Sequence, residues 1–358
     1  MIDALSLPGP RRFLDAARQQ MLAGICVVVP ETPAMPAGLR ERLGFLLKHE
    51  ERACHFIEGT ADPVGDLHRV LPNPDGLTPT VTGVVAACER FGPCFLPQLS
   101  SPLHWPVWRD LLDRFQHCVR QLPSGQRPVV GIFIREGSSI VLPKPDVGIV
   151  VLERRELLGE ADVLAVAEMA MAGVDSASNL LRRVLVHTMA ATVLWDATLA
   201  EELASAGPFE VLTPIPFLNR YAGRRMWSNE TIMAENNGTM GYVDGELRIH
   251  SALLAVKGEN TRIGQRLWRA QVAVLLPWVE EQRLKLLERA RGFLGPSTED
   301  LELMEIGAIW WQLRDSRAPC ELKRRANSLR QIRNALAHRR TLGLRELREI
   351  SSPRFLTQ

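Results

Sequence analysis

Three residues near the C-terminus have types and spacing that suit chemistry on a phosphodiester: Arg333, Asn334 and His338. A helix turns by about 100° per residue, so Asn334 and His338 stack on one face and Arg333 borders that face. Imidazole titrates near neutral pH and can move protons. A guanidinium can hold a phosphate through paired hydrogen bonds, and an amide can orient either group. The trio therefore predicts a candidate phosphodiester site.

The same residues also have a structural interpretation. Arginine, asparagine and histidine often share the surface of a helix, and a single histidine is more often structural than catalytic. Arg333 can form an ion pair with an acid of the preceding helix, such as Glu305, and His338 can cap a contact within a helical bundle. Spacing alone leaves both interpretations open.

Residues 329–338, which read LRQIRNALAH, resemble the active-site helix of HEPN domains. These domains are small helical bundles with an R-x4-6-H motif on a late helix, often with a polar residue directly after the arginine. Four residues separate Arg333 from His338 here, and Asn334 follows the arginine. Residues 303–310 are similar to the partner helix of the bundle. The resemblance covers about 261–350.

The resemblance implies metal-independent cleavage of RNA. In catalytic members the ribose 2′-oxygen attacks the adjacent phosphate, which leaves a cyclic phosphate and a 5′-hydroxyl. His338 would transfer protons, Arg333 would stabilise the charge on the phosphorane, and Asn334 would position one or both. The site is usually composite and forms in a homodimer, and no metal or cofactor is expected. Some members dimerise or bind RNA without cutting it, so a non-catalytic scaffold or sensor remains the alternative.

The distribution of charge supports an RNA partner more than the total charge does. The net charge is only +2, but basic residues crowd the end of the chain. They are Lys323, Arg324, Arg325, Arg330, Arg333, Arg339, Arg340, Arg345 and Arg348. A cluster of this kind can neutralise phosphates, although a solvated helix face gives the same pattern. We expect Arg330, Arg339, Arg340 and Lys323 to bind RNA.

The first 150 or so residues alternate apolar runs with amphipathic stretches. Near-continuous apolar strands that alternate with helices predict an α/β domain with a parallel sheet and helices on both faces. The predicted strands are 25–29, 53–57, 94–96, 129–134 and 147–152, and the predicted helices between them are 37–50, 78–91 and 105–121.

This region loosely resembles the inactivated, STAND-related P-loop domains that accompany effector domains in bacterial conflict systems. The phosphate-binding pattern G-x-x-x-x-G-K-[ST] is absent. Residues 30–38 after the first strand contain no lysine, and the apolar run 129–134 ends in Arg135-Glu136 rather than in paired acids. The resemblance implies a sensing or scaffolding role without hydrolysis, with a possible protein partner or trigger.

The pattern changes after the α/β region. We predict three parts: 1–207, an α/β domain with a helical extension; 208–260, a connector; and 261–358, an all-α bundle. Asp244-Gly245 between short apolar runs predicts a hairpin in the connector. The predicted helices of the bundle are 262–293 with a kink at Pro277, 298–315, 319–340 and 343–350.

Composition excludes several other classes of protein. A content of 46% hydrophobic and 23% charged residues is ordinary for a soluble protein. No apolar run is long enough to cross a membrane, and the first residues lack a secretory pattern, so we expect a cytoplasmic protein. The six cysteines show no CxxC spacing and predict reduced core residues rather than zinc ligands. Asp110, Asp113 and His117 could form a nuclease or metal site, but an amphipathic helix surface explains them better. Five tryptophans could stack on bases, but packing within the bundle explains them better: Trp227, Trp268, Trp278, Trp310 and Trp311.

Overall fold

The computed structural model describes residues 2–72, 79–88, 92–99, 101–135, 148–174, 178–295 and 301–352. The chain forms two compact units. One, the α/β unit, comprises Asp3–Asp162 and Ile232–His250. The other, the helical unit, comprises Met1–Ile2, Val163–Thr231 and Ser251–Gln358.

The α/β unit contains every strand of the described chain. Its helices are α1 (Pro8–Leu22), α2 (Leu39–His49), α3 (Pro63–Arg69), α4 (Val81–Cys88) and α5 (Trp105–Val119). Its strands are β1 (Cys26–Glu31), β2 (Cys54–Gly59), β3 (Cys94–Leu99), β4 (Val129–Arg135), β5 (Ile149–Val151), β6 (Met240–Val243) and β7 (Glu246–Ile249).

Five parallel strands form the main sheet in the order β2-β3-β4-β1-β5. The first strand is therefore an interior strand between β4 and β5, with Val27 beside Gly131 of β4 and beside Val150 of β5. β1 and β4 are buried along almost their whole length because helices cover both faces of the sheet. The predicted strands, the intervening helices and the α/β fold class are confirmed within the described residues, while residues 78, 89–91 and 147 of the predicted elements lie outside them.

Alternate residues of each strand pack against different helices. Cys26 and Val28 of β1 belong to a core with Trp108 and Phe115 of α5, to which α3 and α4 also contribute. α1 and α2 pack against the sheet as well, and Met21 of α1 lies close to Gly131. The predicted hairpin is confirmed: β6 and β7 pair antiparallel, and the hairpin belongs to the α/β unit.

The helical unit is built from ten helices in the described part of the chain. The first of them begins at Glu160, three residues before this part of the unit starts. They are α6 (Glu160–Ala170), α7 (Asn179–Val193), α8 (Ala197–Ala206), α9 (Pro208–Leu212), α10 (Ile215–Arg224), α11 (Ser251–Val256), α12 (Asn260–Ala290), α13 (Ile306–Arg314), α14 (Cys320–Ala337) and α15 (Leu344–Ile350). α12 contains Pro277, and the kink expected there stays a prediction. Residues 298–300 of the predicted second helix lie outside the described residues.

The units differ from the predicted parts 1–207, 208–260 and 261–358. α7 packs along α12, which in turn contacts α14, so the helical extension belongs with the C-terminal helices. The connector is divided, because its hairpin joins the α/β unit while α11 packs against α10 and α12. Contacts between residues far apart in sequence decide both groupings, and local sequence pattern does not encode them.

Several further properties hold for the described residues. No described helix is long and apolar enough to cross a membrane. The described chain has no group of three His, Cys, Asp or Glu side chains that could hold a metal. Asp110, Asp113 and His117 are exposed on α5, as predicted. The cysteines are all free, and Cys26, Cys88 and Cys94 are buried, but the expectation of a core residue is wrong for the exposed Cys320.

Candidate functional site

α14 carries Arg333 and Asn334 of the predicted site, and His338 directly follows it. Its leucines, arginines, lysine and alanines favour helix, and Leu322, Ala326, Leu329, Ile332 and Leu336 are buried at helical spacing. The helix ends at Ala337, earlier than the predicted 340, and His338 is the residue that follows its last turn. His338 therefore caps the helix rather than lying within it.

A Schellman motif ends the helix. The Arg340 N–H donates to the Ala335 carbonyl at 2.9 Å, and the Arg339 N–H donates to the Leu336 carbonyl at 3.1 Å. Arg339 lies at the left-handed position of the motif, with φ of 57°. Glycine is the residue that favours this position, so Arg339 gave no signal of a helix end in the sequence.

Two side chains of α12 hold the chain on either side of this turn. The Trp268 Nε1–H donates to the Leu336 carbonyl at 2.7 Å. Gln271 is fully buried; its Nε2 donates to the Leu342 carbonyl at 3.0 Å, and its Oε1 accepts from the Leu342 N–H at 2.7 Å. We call Trp268 and Gln271 the α12 clamp. It fixes the backbone that carries His338, and sequence reasoning did not identify Gln271.

A groove of about 370 Å³ lies between the end of α14 and α15. Its polar lining residues are Ser328, Gln331, Asn334, His338, Arg340, Glu346 and Glu349. Asn334 and His338 are exposed, and no described residue forms a side-chain hydrogen bond with either. Both side chains are therefore available to a ligand in this groove, as their i,i+4 spacing led us to expect.

Arg333 does not line the groove with them. Its Nη2 forms an ion pair with Glu305 Oε1 at 3.2 Å, which is the partner that the structural interpretation named. The side chains are 42% and 69% exposed, and a pair this exposed contributes only about 0–1 kcal/mol. A phosphate can therefore compete with Glu305 for the guanidinium.

The four predicted RNA-binding residues differ in their contacts. Arg339 is exposed and lies over the Trp268 ring at 5.9 Å, whereas Arg340 forms an ion pair with Glu346 at 2.8 Å. Arg330 stacks on Trp310 at 4.0 Å. Lys323 donates to the carbonyls of Arg314 and Ser316 at 3.1 and 2.7 Å, so its ammonium satisfies the end of α13.

The groove also contains two acids of the C-terminal region that were not predicted to be part of the site. Glu346 accepts from the Gly343 N–H at 2.8 Å and completes the start of α15, while the exposed Glu349 side chain lines the groove. Their i,i+3 spacing on a short helix was the available signal. With one arginine against two carboxylates, the groove of a single chain is not basic.

Replacing Arg339 tests whether the left-handed turn is strained. We expect Arg339→Gly to be more stable than Arg339→Ala by about 0.5–1 kcal/mol, because relief of the left-handed strain exceeds the entropy that glycine gains in the unfolded chain. Both variants lose the charge and the Trp268 contact, so their difference isolates the backbone. Urea unfolding followed by circular dichroism measures it. A more stable alanine variant would contradict the left-handed assignment.

The carboxyl end of β1 is the place where a P-loop domain would bind phosphate. Gly38, with φ of 84°, precedes α2, and the chain between β1 and α2 contains no lysine. Glu31 lies at the end of β1 and accepts from Gln98 Nε2 of β3 at 3.0 Å. Burial raises the pKa of the Glu31 carboxyl above its ordinary value. A carboxylate here would repel a phosphate.

The raised pKa of Glu31 predicts a pH-dependent effect on stability. A carboxyl group whose pKa is higher in the folded state contributes stability at low pH, and this contribution is lost as the pH rises through the folded-state pKa. We therefore expect Glu31→Gln to raise the free energy of unfolding at pH 7 and to have little effect near pH 3.5. Denaturant unfolding at the two pH values checks this. An equal effect at both would contradict it.

Comparison with known proteins adds little to this description. No family model and no curated protein sequence matches the chain. Among solved structures, the ORC1 protein of Aeropyrum pernix, in complex with DNA, is similar over 92% of this chain and 84% of that chain, with 14% identity and a TM-score of 0.32. A TM-score this low does not establish a shared fold. The topology itself defines the class of protein, which is a parallel five-stranded α/β unit joined to a helical unit.

Proposed function

We propose that the helical unit is a metal-independent HEPN-type endoribonuclease. The observation that carries the proposal is the pair Asn334 and His338, exposed in a groove at the end of α14 on a backbone held by the α12 clamp. A rigid backbone beneath free polar side chains is the arrangement that preorganised catalysis requires. The R-x4-6-H resemblance supplies the reaction.

In the proposed reaction the ribose 2′-oxygen attacks the adjacent phosphorus, and the bond from phosphorus to the 5′-oxygen breaks. The 2′-hydroxyl loses a proton and the 5′-oxygen gains one, so imidazole can carry both transfers. His338 has this role, Asn334 orients the substrate or the imidazole, and Arg333 stabilises the negative charge on the phosphorane. The products are a cyclic phosphate and a 5′-hydroxyl.

Electrostatics support a composite, dimeric site. The groove of one chain contains two carboxylates and a single arginine, which is itself paired with one of them. Binding a phosphate beside His338 therefore needs cations from outside the groove. Arg333 of a second copy, released from its weak pair with Glu305, would supply one. The proposal thus includes a homodimer through the C-terminal helices.

Incubation of the full chain with total RNA tests the proposal. The wild type is expected to cut in the presence of EDTA and to leave cyclic phosphate ends, and to leave DNA intact because DNA has no 2′-hydroxyl. The double variant Arg333→Ala/His338→Ala is the comparison. If it cuts as fast as the wild type, or if neither cuts with any candidate trigger, the nuclease proposal fails.

A mixing experiment tests the composite site separately. In a two-fold dimer that takes Arg333 from one copy and His338 from the other, a mixed dimer of Arg333→Ala and His338→Ala chains contains one intact site. Mixing the two inactive variants is then expected to restore about a quarter of the wild-type rate. No recovery, with mixed dimers shown to form, would contradict the composite arrangement.

One observation favours a non-catalytic alternative. Arg333 is paired with Glu305 and is absent from the groove, as expected if the motif only stabilises the bundle. In that case the helical unit would dimerise or bind RNA as a scaffold or sensor. This alternative would be supported if the wild type leaves total RNA uncut but binds it tightly.

We further propose that the α/β unit regulates the nuclease without hydrolysing nucleotide, as a sensor in a defence or toxin system. The strand order β5-β1-β4-β3-β2, in which the first strand lies between β5 and β4, is typical of P-loop domains of the STAND group and supports this proposal. The absent lysine and the Glu31 carboxylate argue against phosphate binding. Isothermal titration with ATP and magnesium tests it; tight magnesium-dependent binding would overturn it.

A further inference from the structure

Four side chains on α13 and α14 form a continuous series of stacked contacts. The Arg314 guanidinium lies over the Trp311 ring at 4.1 Å and near the Trp310 ring at 5.6 Å, and the Arg330 guanidinium lies over Trp310 at 4.0 Å. The two indole rings are 6.2 Å apart at 60°. We call Trp311, Arg314, Trp310 and Arg330 the aromatic–arginine strip.

Bundle packing does not account for Trp311. The residue is 60% exposed, whereas a tryptophan that serves a core is largely buried. No described residue accepts a hydrogen bond from its indole N–H. The prediction that the tryptophans pack the bundle is therefore wrong for Trp311. A large exposed ring with an arginine over it has the features of a binding surface.

The charge around the strip favours a negatively charged partner. Asp315 pairs with Arg314 and Glu305 pairs with Arg333, but among the described residues Arg330 donates only to the neutral Asn327, at 3.0 Å. Arg317, three residues beyond Arg314, is exposed. The face therefore keeps an excess of guanidinium charge, which cannot be removed by deprotonation.

The strip ends next to Arg333, the residue of the candidate site that lies outside the groove. Arg330 and Arg333 are three residues apart on α14 and share one side of the helix, about 60° apart in projection. A strand bound along Trp311, Arg314 and Arg330 would reach Arg333 without leaving this surface. Phosphates can contact the guanidiniums, and the exposed ring can stack on a base.

We propose that the aromatic–arginine strip binds single-stranded RNA and directs it to Arg333. The proposal rests on the proposed nuclease function, which makes RNA the substrate. Stacking on Trp311 needs an unpaired base, so the strip selects single strands over duplexes. A second copy of the chain fits less well, because a two-fold interface here would place arginines against the same arginines.

Fluorescence anisotropy with the full chain tests the proposal. The probe is a labelled oligouridylate of about 12 nucleotides with 2′-O-methyl riboses, within the usual site sizes for single strands. It cannot be cut by 2′-oxygen attack, so binding is measured independently of cleavage. The variants are Trp311→Ala, Trp311→Phe and Arg314→Gln, with Leu303→Ala as the control, since Leu303 is 76% exposed and cannot stack on a base.

We expect Trp311→Ala to weaken binding about 10–100-fold, while Trp311→Phe, which keeps a ring, loses less than about 5-fold. Arg314→Gln is expected to lower the salt dependence between about 50 and 200 mM, and Leu303→Ala to bind as the wild type does. A duplex of the same length should bind more weakly and without dependence on Trp311.

Three results would overturn the proposal. They are no binding of the probe by the wild type, binding by Trp311→Ala as tight as that of the wild type, and a Trp311→Ala variant that loses duplex binding and single-strand binding equally. Conversion of a dimer to a monomer by Trp311→Ala, with RNA binding unchanged, would assign the strip to an interface between copies and also overturn it. The nuclease proposal fails on different data, the cleavage of unmodified RNA by the Arg333→Ala/His338→Ala variant.

Discussion

Replacing His338 by alanine is expected to lower the rate of RNA cleavage by about 10²–10⁴-fold, the usual contribution of a positioned proton-transfer group. His338 is exposed and follows the last turn of α14, where no described side chain bonds to its ring. Alanine therefore removes the imidazole and leaves the fold intact. Formation of cyclic phosphate ends on a defined RNA, under single-turnover conditions, measures the effect.

The exposed His117 of α5 provides the matched control for this variant. His117→Ala removes an imidazole that is also exposed, on the α/β unit, and is expected to cut RNA at the wild-type rate. Circular dichroism should show equal melting temperatures for both variants. A His338→Ala protein that keeps more than about a tenth of the wild-type rate would remove this residue from the proton-transfer step.

Replacing Gln271 by leucine is expected to have the largest effect on stability, a loss of about 2–5 kcal/mol in the free energy of unfolding. The Gln271 amide satisfies both backbone groups of Leu342, a residue that is itself buried. Leucine keeps a similar volume but leaves an N–H and a carbonyl without partners, at about 1–3 kcal/mol each. Urea unfolding followed by circular dichroism measures the loss.

Gln265 of the same helix is exposed and is the matched control for Gln271. Gln265→Leu is expected to change stability by less than about 0.5 kcal/mol. Because the α12 clamp also holds the turn that carries His338, Gln271→Leu should slow cleavage even below its melting temperature. Equal stability of the two leucine variants would show that the 338–343 turn does not depend on Gln271.

The α/β unit was predictable because its signals are local. β1 and β4 of the parallel sheet are short, buried apolar runs, and the helices between the strands have amphipathic spacing. The order of the strands was not predictable, since β1 meets β4 across about a hundred residues of chain. The hairpin was predicted from Asp244-Gly245, but its place in the α/β unit depends on distant contacts.

The candidate site was only partly predictable. The stacking of Asn334 and His338 follows from helical geometry, and the Arg333–Glu305 pair was one of the two stated interpretations. The end of α14 was misplaced because an arginine occupies the left-handed position that usually marks a helix end with glycine. The role of Gln271 could not be predicted from the sequence, since its hydrogen-bond partner Leu342 lies 71 residues away.

The packing of α7 along α12 determines how the chain can be divided for biochemical study. A fragment that begins at residue 261 keeps the whole of the HEPN-like motif but exposes the apolar side of α12 that α7 covers. Such a fragment would aggregate during purification, and a failed nuclease assay on it would say nothing about the motif. A fragment that begins near residue 163 keeps α7, and within it the 232–250 hairpin is the segment to replace by a short linker.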